Sequence, residues 1–347
     1  MSEGGPLYQL TLARVREAVR EPGVLFWVFG FPILLSVGLG LAFRGRGPEP
    51  VSVGVLDGPG AAGIERALGA AGLKVERLDE ARARLRVRAG KIALVVVPGA
   101  TADAPLTYRY DPMPAEARLA RLAVDEAIQR AAGRKDPRAV RDAPVTERGS
   151  RYIDFLVPGL LGMNLMSGSM WGIGWVIVNM RVRKLLKRLL ATPMRRRDLL
   201  LAQAIARMGS VPLEVGALLI FARLAFDVRV TGSWLALAVV SLAGALAFAG
   251  LAILVASRAR NTETVSGLMN LVMMPMFVVS GVFFSAARFP EVLQPALALL
   301  PLTALNDALR AIMIDGAGLV AVGRPLAILG GWGVASFGVG LRVFRWG

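Results

Sequence analysis

The sequence predicts an α-helical integral membrane protein with six transmembrane helices and a small α/β extracytoplasmic domain inserted between the first and the second. Three observations predict it. Of the 347 residues, 55% are hydrophobic before the 39 Gly are counted, and mean hydropathy is +0.55. Soluble domains run at about 45–50% apolar with Gly included. Six stretches are free, or nearly free, of charge over the ~20 residues that a bilayer crossing requires. The chain holds 41 Lys+Arg against 25 Asp+Glu for a formal charge of +16, and in the short loops the basic residues gather on one side of those stretches, while the long segment 44–151 carries 20 basic and 14 acidic residues.

The same composition excludes several chemistries. Cys and His are both absent. A disulfide framework, Cys-ligated zinc, thiol catalysis, a Ser-His-Asp triad and an HExxH metal site are therefore ruled out. No catalytic residue and no metal ligand set is expected. A basic chain can bind nucleic acid, but 7% aromatics and long uncharged runs argue for a lipid bilayer as the partner instead.

Residues 1–23 read as a cytoplasmic amphipathic helix lying in the membrane interface. Tyr8, Leu12, Val15 and Val19 form one narrow stripe, and Arg14, Arg16, Glu17, Arg20 and Glu21 occupy the other side. An ordinary juxtamembrane helix carries the same pattern. Residues 24–43 are an uncharged run and the first span; they are longer than the apolar core of a cleaved signal peptide.

Residues 44–151 read as the extracytoplasmic α/β domain. VSVGVLD (Val51 to Asp57) alternates as a strand and ends in a Gly-Pro turn, and Ala61 to Ala71 is helical. Leu73 to Leu78 alternates again, Lys91 to Pro98 is a buried strand, and Leu106 to Asp111 is another. Glu116 to Ala132 is an amphipathic helix, so strands and helices alternate.

Residues 152–347 supply five further spans: Ile153 to Met180, Met208 to Phe226, Val230 to Ser257, Thr264 to Ala287 and Pro325 to Leu341. The loop 181–207 holds nine basic residues and one acid, Asp198, which places it in the cytoplasm. Counting outward puts Arg258, Arg260, Arg342, Arg345 and both termini on the same, cytoplasmic side. The segment 44–151 is long enough to cross regardless of its charge.

Within the loop, Leu185, Leu186, Leu189 and Leu190 form an apolar face beside Arg183, Lys184, Lys187 and Arg188. Thr192-Pro193 reads as an N-cap and first helical residue, so the loop is helix, break, helix, with Arg195 and Arg196 at the restart. A positive-inside anchor alone would also account for the charge. The segment 288–324 is apolar yet broken by Pro290, Pro295 and Pro301. It is too interrupted to span and too apolar for a solvated loop, so it reads as re-entrant. Asp307 and Arg310, three apart, form a candidate structural ion pair. Arg207 and Glu214, seven apart on one helix face, form another. Met163, Met166, Met170, Met273 and Phe277 suit an adaptable apolar substrate path, and equally suit helix packing.

There is no GxxxxGK[ST]; the nearest fragment, Gly90-Lys91-Ile92, lacks the hydroxyl for Mg. Any ATP-driven work therefore draws on another chain.

These residues resemble the ABC type-2 exporter permeases. The resemblance rests on LKRLLATPMRRRDLLLAQ (Leu186 to Gln203), on SGVFFS (Ser280 to Ser285), Phe289-Pro290 and LPLTALNDALR (Leu300 to Arg310), and on the order of the elements. It implies a permease dimer, homo- or heteromeric, with each copy docking a separate ABC ATPase subunit that binds ATP and Mg. It makes Tyr8, Leu12, Val15 and Val19 the connecting helix. It makes Leu185 to Leu190, with Thr192, Pro193, Arg195 and Arg196, the coupling region. The path would lie between copies, lined by the second and fifth spans. Many relatives carry an acidic stretch where Met180 to Lys187 is basic here, so contacts made by those acids do not transfer. Two other classes stay open. A secondary transporter or channel would need more embedded charge than Glu214. A receptor or secretion component would use the external domain to bind a partner.

Overall fold

The computed structural model describes residues 8–13, 16, 23, 26–42, 52–99, 101, 104–135, 137, 138, 141, 151–190 and 196–344. They divide between two units, one drawn from Met1–Arg44 with Thr146–Gly347 and the other from Gly45–Val145.

The smaller unit is a four-stranded sheet with helices on both faces. Its strands are β1 (Ser52–Leu56), β2 (Lys74–Leu78), β3 (Leu94–Val97) and β4 (Thr107–Arg109), in the order β2-β1-β3-β4. β1 runs parallel to β2, pairing Val53 with Val75, and parallel to β3, pairing Val55 with Val96. β4 closes the edge antiparallel to β3. Parallel neighbours need crossover helices, and three helices sit in this unit: α2 (Ala61–Ala70), α3 (Glu80–Arg88) and α4 (Ala115–Ala131). The alternation of the strands sorts their side chains. Val53, Val55, Leu94 and Val96 bury one face against Ala61 and Leu68 of α2 and Ala120, Val124 and Ala127 of α4. Leu56, Leu78 and Val95 bury the other face with Ala83 of α3 and Ile92. Asp79 caps α3 by accepting the Arg82 N–H at 2.7 Å.

The larger unit is helical. A π turn (Phe26–Gly30) continues into α1 (Phe31–Ala42). α5 (Tyr152–Ser169) passes through a wide π segment, Met170–Trp175, into α6 (Val176–Val182). A turn at Arg183 and Lys184, the latter at φ 57°, leads to α7 (Leu185–Leu190). Then follow α8 (Arg196–Phe226), α9 (Trp234–Ala256), α10 (Thr262–Val279), α11 (Gln294–Ala298), α12 (Pro301–Met313) and α13 (Gly323–Val343).

Among the described residues, five helices are long and apolar enough to cross a membrane: Tyr152–Val182, Asp198–Phe226, Trp234–Ala256, Thr262–Val279 and Gly323–Val343. Of the expected first span, 24–43, the described residues are the π turn and the 12-residue α1. The expected loop 181–207 is mostly helix. α8 begins at Arg196, because the apolar period continues inward through Leu199, Leu200, Ala202 and Ala204, all buried.

α9 is the centre of the bundle. It is uncharged over 23 residues, opens on a Ser233 cap and packs along α13, α12 and α5. Within the segment 288–324, α12 is the buried part: ten of its thirteen residues are buried, whereas α11 has none, and Pro290 and Pro295 are exposed. Pro301 starts α12, where the missing N–H is harmless.

Candidate functional site

Three groups of polar residues interrupt the apolar helices, and each ties helix ends or helix faces together. The first lies deep between α5, α8 and α9. Arg207 and Glu214, two turns apart on α8, form a two-pronged ion pair in which Arg207 Nη2 reaches Glu214 Oε2 at 2.9 Å and Nη1 bonds Oε1. Their side chains are only 6% and 2% exposed. Arg207 Nε donates to Ser169 Oγ at 3.0 Å, Nη1 to Ser210 Oγ at 3.0 Å and Nη2 to the Leu165 carbonyl at 3.3 Å. Ser169 donates in turn to the Ala245 carbonyl at 3.2 Å. Gly168 makes room for the guanidinium: a Cβ there would stand 2.6 Å from Nη2. The charge is thus met on every side, as a buried ion in a membrane protein must be. Glu214 is held as the partner of Arg207.

The second group joins one set of helix ends. Arg151 embraces Asp154 through Nε at 2.9 Å and Nη2 at 2.8 Å, and donates Nη1 to the Phe226 carbonyl at 2.9 Å. The Asp154 hydrogen bonds hold the Arg151 guanidinium above its ordinary pKa. Tyr152 donates to the Phe283 carbonyl at 3.0 Å. Thr231 Oγ1 donates to the Met313 carbonyl at 2.9 Å. Asn306 Nδ2 donates to the Ser280 carbonyl at 2.9 Å. Arg310 bonds the Gly281 carbonyl and lies 3.7 Å from the Phe155 ring centre. No salt bridge joins it to Asp307 among the described residues. The expected pair is replaced because Gly281, at φ 75°, turns its carbonyl toward the guanidinium, while Asp307 faces the exposed side of α12.

The third group holds the basic turn. Arg181, at the end of α6, donates Nη1 to the Ala256 carbonyl at 2.9 Å and Nη2 to the Ser257 carbonyl at 3.2 Å, and also bonds the Ala259 carbonyl. Its guanidinium lies 5.2 Å from the Phe344 ring centre. The last carbonyls of a helix lack intrahelical partners and carry partial negative charge. A cation from another helix satisfies them here, so the α6–α7 turn, the end of α9 and Phe344 form one joint. Charge counting finds Arg181 only as one of nine basic residues; its acceptors appear when α6 and α9 are brought together.

The expected coupling residues divide around this joint. Leu186 is 1% exposed and packs inside the chain, whereas Leu185 is 38% exposed. Leu189 and Leu190 belong to α7, but their side chains lie outside the described residues, as do Thr192, Pro193 and Arg195. Arg196 opens α8 with its side chain likewise outside. Of the connecting-helix residues, Tyr8 is exposed and Leu12 half-buried within the helical residues 8–13; Val15 and Val19 lie outside the described residues. Met163, Met166, Met170 and Met273 are buried at 0–6% exposure in one core with Phe277 packed against it. The four methionines thus pack within one chain, and Phe277 is partly buried. Among the described residues no cluster of three acidic side chains is placed to hold a metal ion.

The sequence model of the ABC-2 family transporter proteins matches residues 22–342 of the chain. Nodulation protein J of Rhizobium meliloti (strain 1021) is 30% identical over 199 residues, which cover 57% of this chain and 75% of that protein.

Proposed function

Because the chain belongs to the ABC-2 family of transporter proteins and is a multi-pass membrane transport subunit, we propose that it is the permease of an ATP-driven exporter, powered by a separate ABC ATPase chain. The observation that carries this reading is the match of most of the chain to a transporter family, in a sequence that holds no phosphate-cradling loop. Two permease copies form the path, and each docks one ATPase. ATP and Mg belong to that ATPase. In this reading both termini and the turn 181–207 face the cytoplasm of a bacterial inner membrane and the sheet unit faces outward, which the nine basic residues of the turn support.

Coupling runs through the Arg181 joint. α7 sits on the ATPase through Leu185, Leu189 and Leu190, while Leu186 keys the helix into its own chain. An amphipathic helix seated in a groove passes on rigid-body movement. Arg181 transmits that movement to the end of α9 through the Ala256 and Ser257 carbonyls. Because α9 packs along α13, α12 and α5, a displacement of the turn reaches most of the bundle.

The test is purification of the chain alone and after co-expression with a cognate ABC ATPase. The chain alone has no ATPase activity, and co-expression yields a complex whose hydrolysis is altered by Arg181→Ala. ATP turnover by the isolated chain, surviving contaminant controls, would overturn the assignment.

A further inference from the structure

Between α8 and α9 lies a groove of about 680 Å³, walled by the apolar side chains of both helices. It exists because the facing positions are small or lack a side chain: Pro212 and Gly216 on α8, Ala238 and Ser241 on α9. Gly216 is open, since a Cβ built there meets nothing within 4 Å. The volume is that of a site enclosing one small ligand or tail, of order 300–1,000 Å³, and is too small for a protein segment. At the end nearest the α8–α9 connection the lining becomes cationic, with Arg223 and Arg229. Both guanidiniums bond Asp227, Arg229 at 3.4 Å, and remain 46% exposed. Two cations for one carboxylate leave this cluster at +1, with Asp227 already engaged. Trp234, 64% exposed on the same rim, is the residue type that settles at the headgroup level. One polar atom breaks the apolar lining: Ser241 Oγ is fully buried and has no hydrogen-bond partner.

We propose that this groove is a binding site for an anionic phospholipid of the surrounding bilayer. Its acyl tail lies along Gly216 and Leu237, and its phosphate sits on Arg223 and Arg229. The fork of a guanidinium matches phosphate oxygens. Because Asp227 is taken up by the two arginines, no carboxylate is left to welcome the ammonium of a zwitterionic headgroup. The Ser241 hydroxyl gains an acceptor from an ester-linked tail and none from a bare alkane. The inference requires only that the chain spans a membrane; it does not depend on ATP-driven export.

The test is native mass spectrometry of the full chain in a mild non-ionic detergent, titrated with dioleoylphosphatidylglycerol or dioleoylphosphatidylcholine. The parent should hold the anionic lipid about tenfold more tightly, the ratio expected for one charge-assisted contact. The double variant Arg223→Gln, Arg229→Gln, altered only at exposed side chains, should bind both lipids alike. Gly216→Leu should weaken both, because its side chain fills the groove without a clash at Cβ. Equal binding of the two lipids by the parent overturns the proposal, as does unchanged lipid binding in either variant. A change of oligomeric state in Gly216→Leu would also overturn it, because the occupant would then be a second copy.

Discussion

Replacing Glu214 by Gln removes the carboxylate from the deepest ion pair while leaving the shape nearly unchanged. Arg207 then stays buried at 6% side-chain exposure with its bonds to Ser169, Ser210 and Leu165 intact but its charge uncompensated. Breaking a buried pair in this way costs about 3–5 kcal/mol. Removing both charges is a different perturbation. In the double variant Arg207→Leu, Glu214→Leu, Ser169 keeps its acceptor at the Ala245 carbonyl and Ser210 keeps the carbonyl of residue 207. No polar side chain that touches the pair is orphaned, so the double change should lie within about 1 kcal/mol of the parent. The assay is denaturant titration of the purified chain in micelles, followed by circular dichroism and analysed as a double-mutant cycle. Export by the double variant alongside failure of Glu214→Gln would mark the pair as structural. A Glu214→Gln loss below about 1 kcal/mol, or a double variant as unstable as the single, would refute the reasoning.

Leu186→Ala should lower stability by about 2–5 kcal/mol, as a fully buried Leu does. Leu185→Ala should leave stability within about 0.5 kcal/mol and instead weaken binding of the ATPase; thermal unfolding and pull-down separate the two. Because Cys is absent, single-Cys variants report topology directly. Ala131→Cys should react with an impermeant maleimide on intact cells and Leu185→Cys should not, and the reverse pattern would invert the orientation. In the sheet unit, hydrogen bonds from Arg109 and Arg84 hold the Glu80 carboxyl below its usual range. Its contribution is present above the unfolded value of about 4.5 and lost as pH falls through the lower folded value, so Glu80→Gln should flatten the acid limb of a pH–stability profile. Burial and the Asp125 hydrogen bond push Tyr108 up to about 12. Its contribution is present below the unfolded value of 10 and lost as pH rises toward 12, and Tyr108→Phe should remove that alkaline loss.

The sequence revealed whatever depends on local pattern. Apolar runs with few or no charges located the five long helices, because apolar length is a one-dimensional property. Val51 to Asp57 and Lys91 to Pro98 were readable as strands for the same reason, their alternation and their β-branched residues being local. α3 escaped because EARARLRVR carries four arginines and buries only Ala83; its helical signal is the Asp79 cap, not an apolar stripe. A helix restart was readable at Thr192-Pro193, but the span itself was begun only at Met208, although Leu199 and Leu200 continue the apolar period before it. Arg207 and Glu214 could be paired from their spacing since both lie on one helix. Asp307 and Arg310 could not be judged that way, since the carbonyl that engages Arg310 belongs to a turn 29 residues away. The Arg181 joint and the α8–α9 groove are relations between helices, and spacing along one helix does not encode them.

The joint at Arg181 also sets how freely this region can change its sequence. For membrane orientation Lys and Arg are equivalent, so most of the nine cations of the turn can drift between the two without penalty. Arg181 is not in that pool. A planar fork reaches two helix-end carbonyls at once and lies over Phe344, while an ammonium on a flexible stem offers a single point charge. A library that exchanges every Lys and Arg of the turn would therefore show tolerance almost throughout, with intolerance at Arg207, whose fork is buried against Glu214, and at Arg181. The substitution pattern of Phe344 would be tied to Arg181 rather than to its own neighbours along the chain.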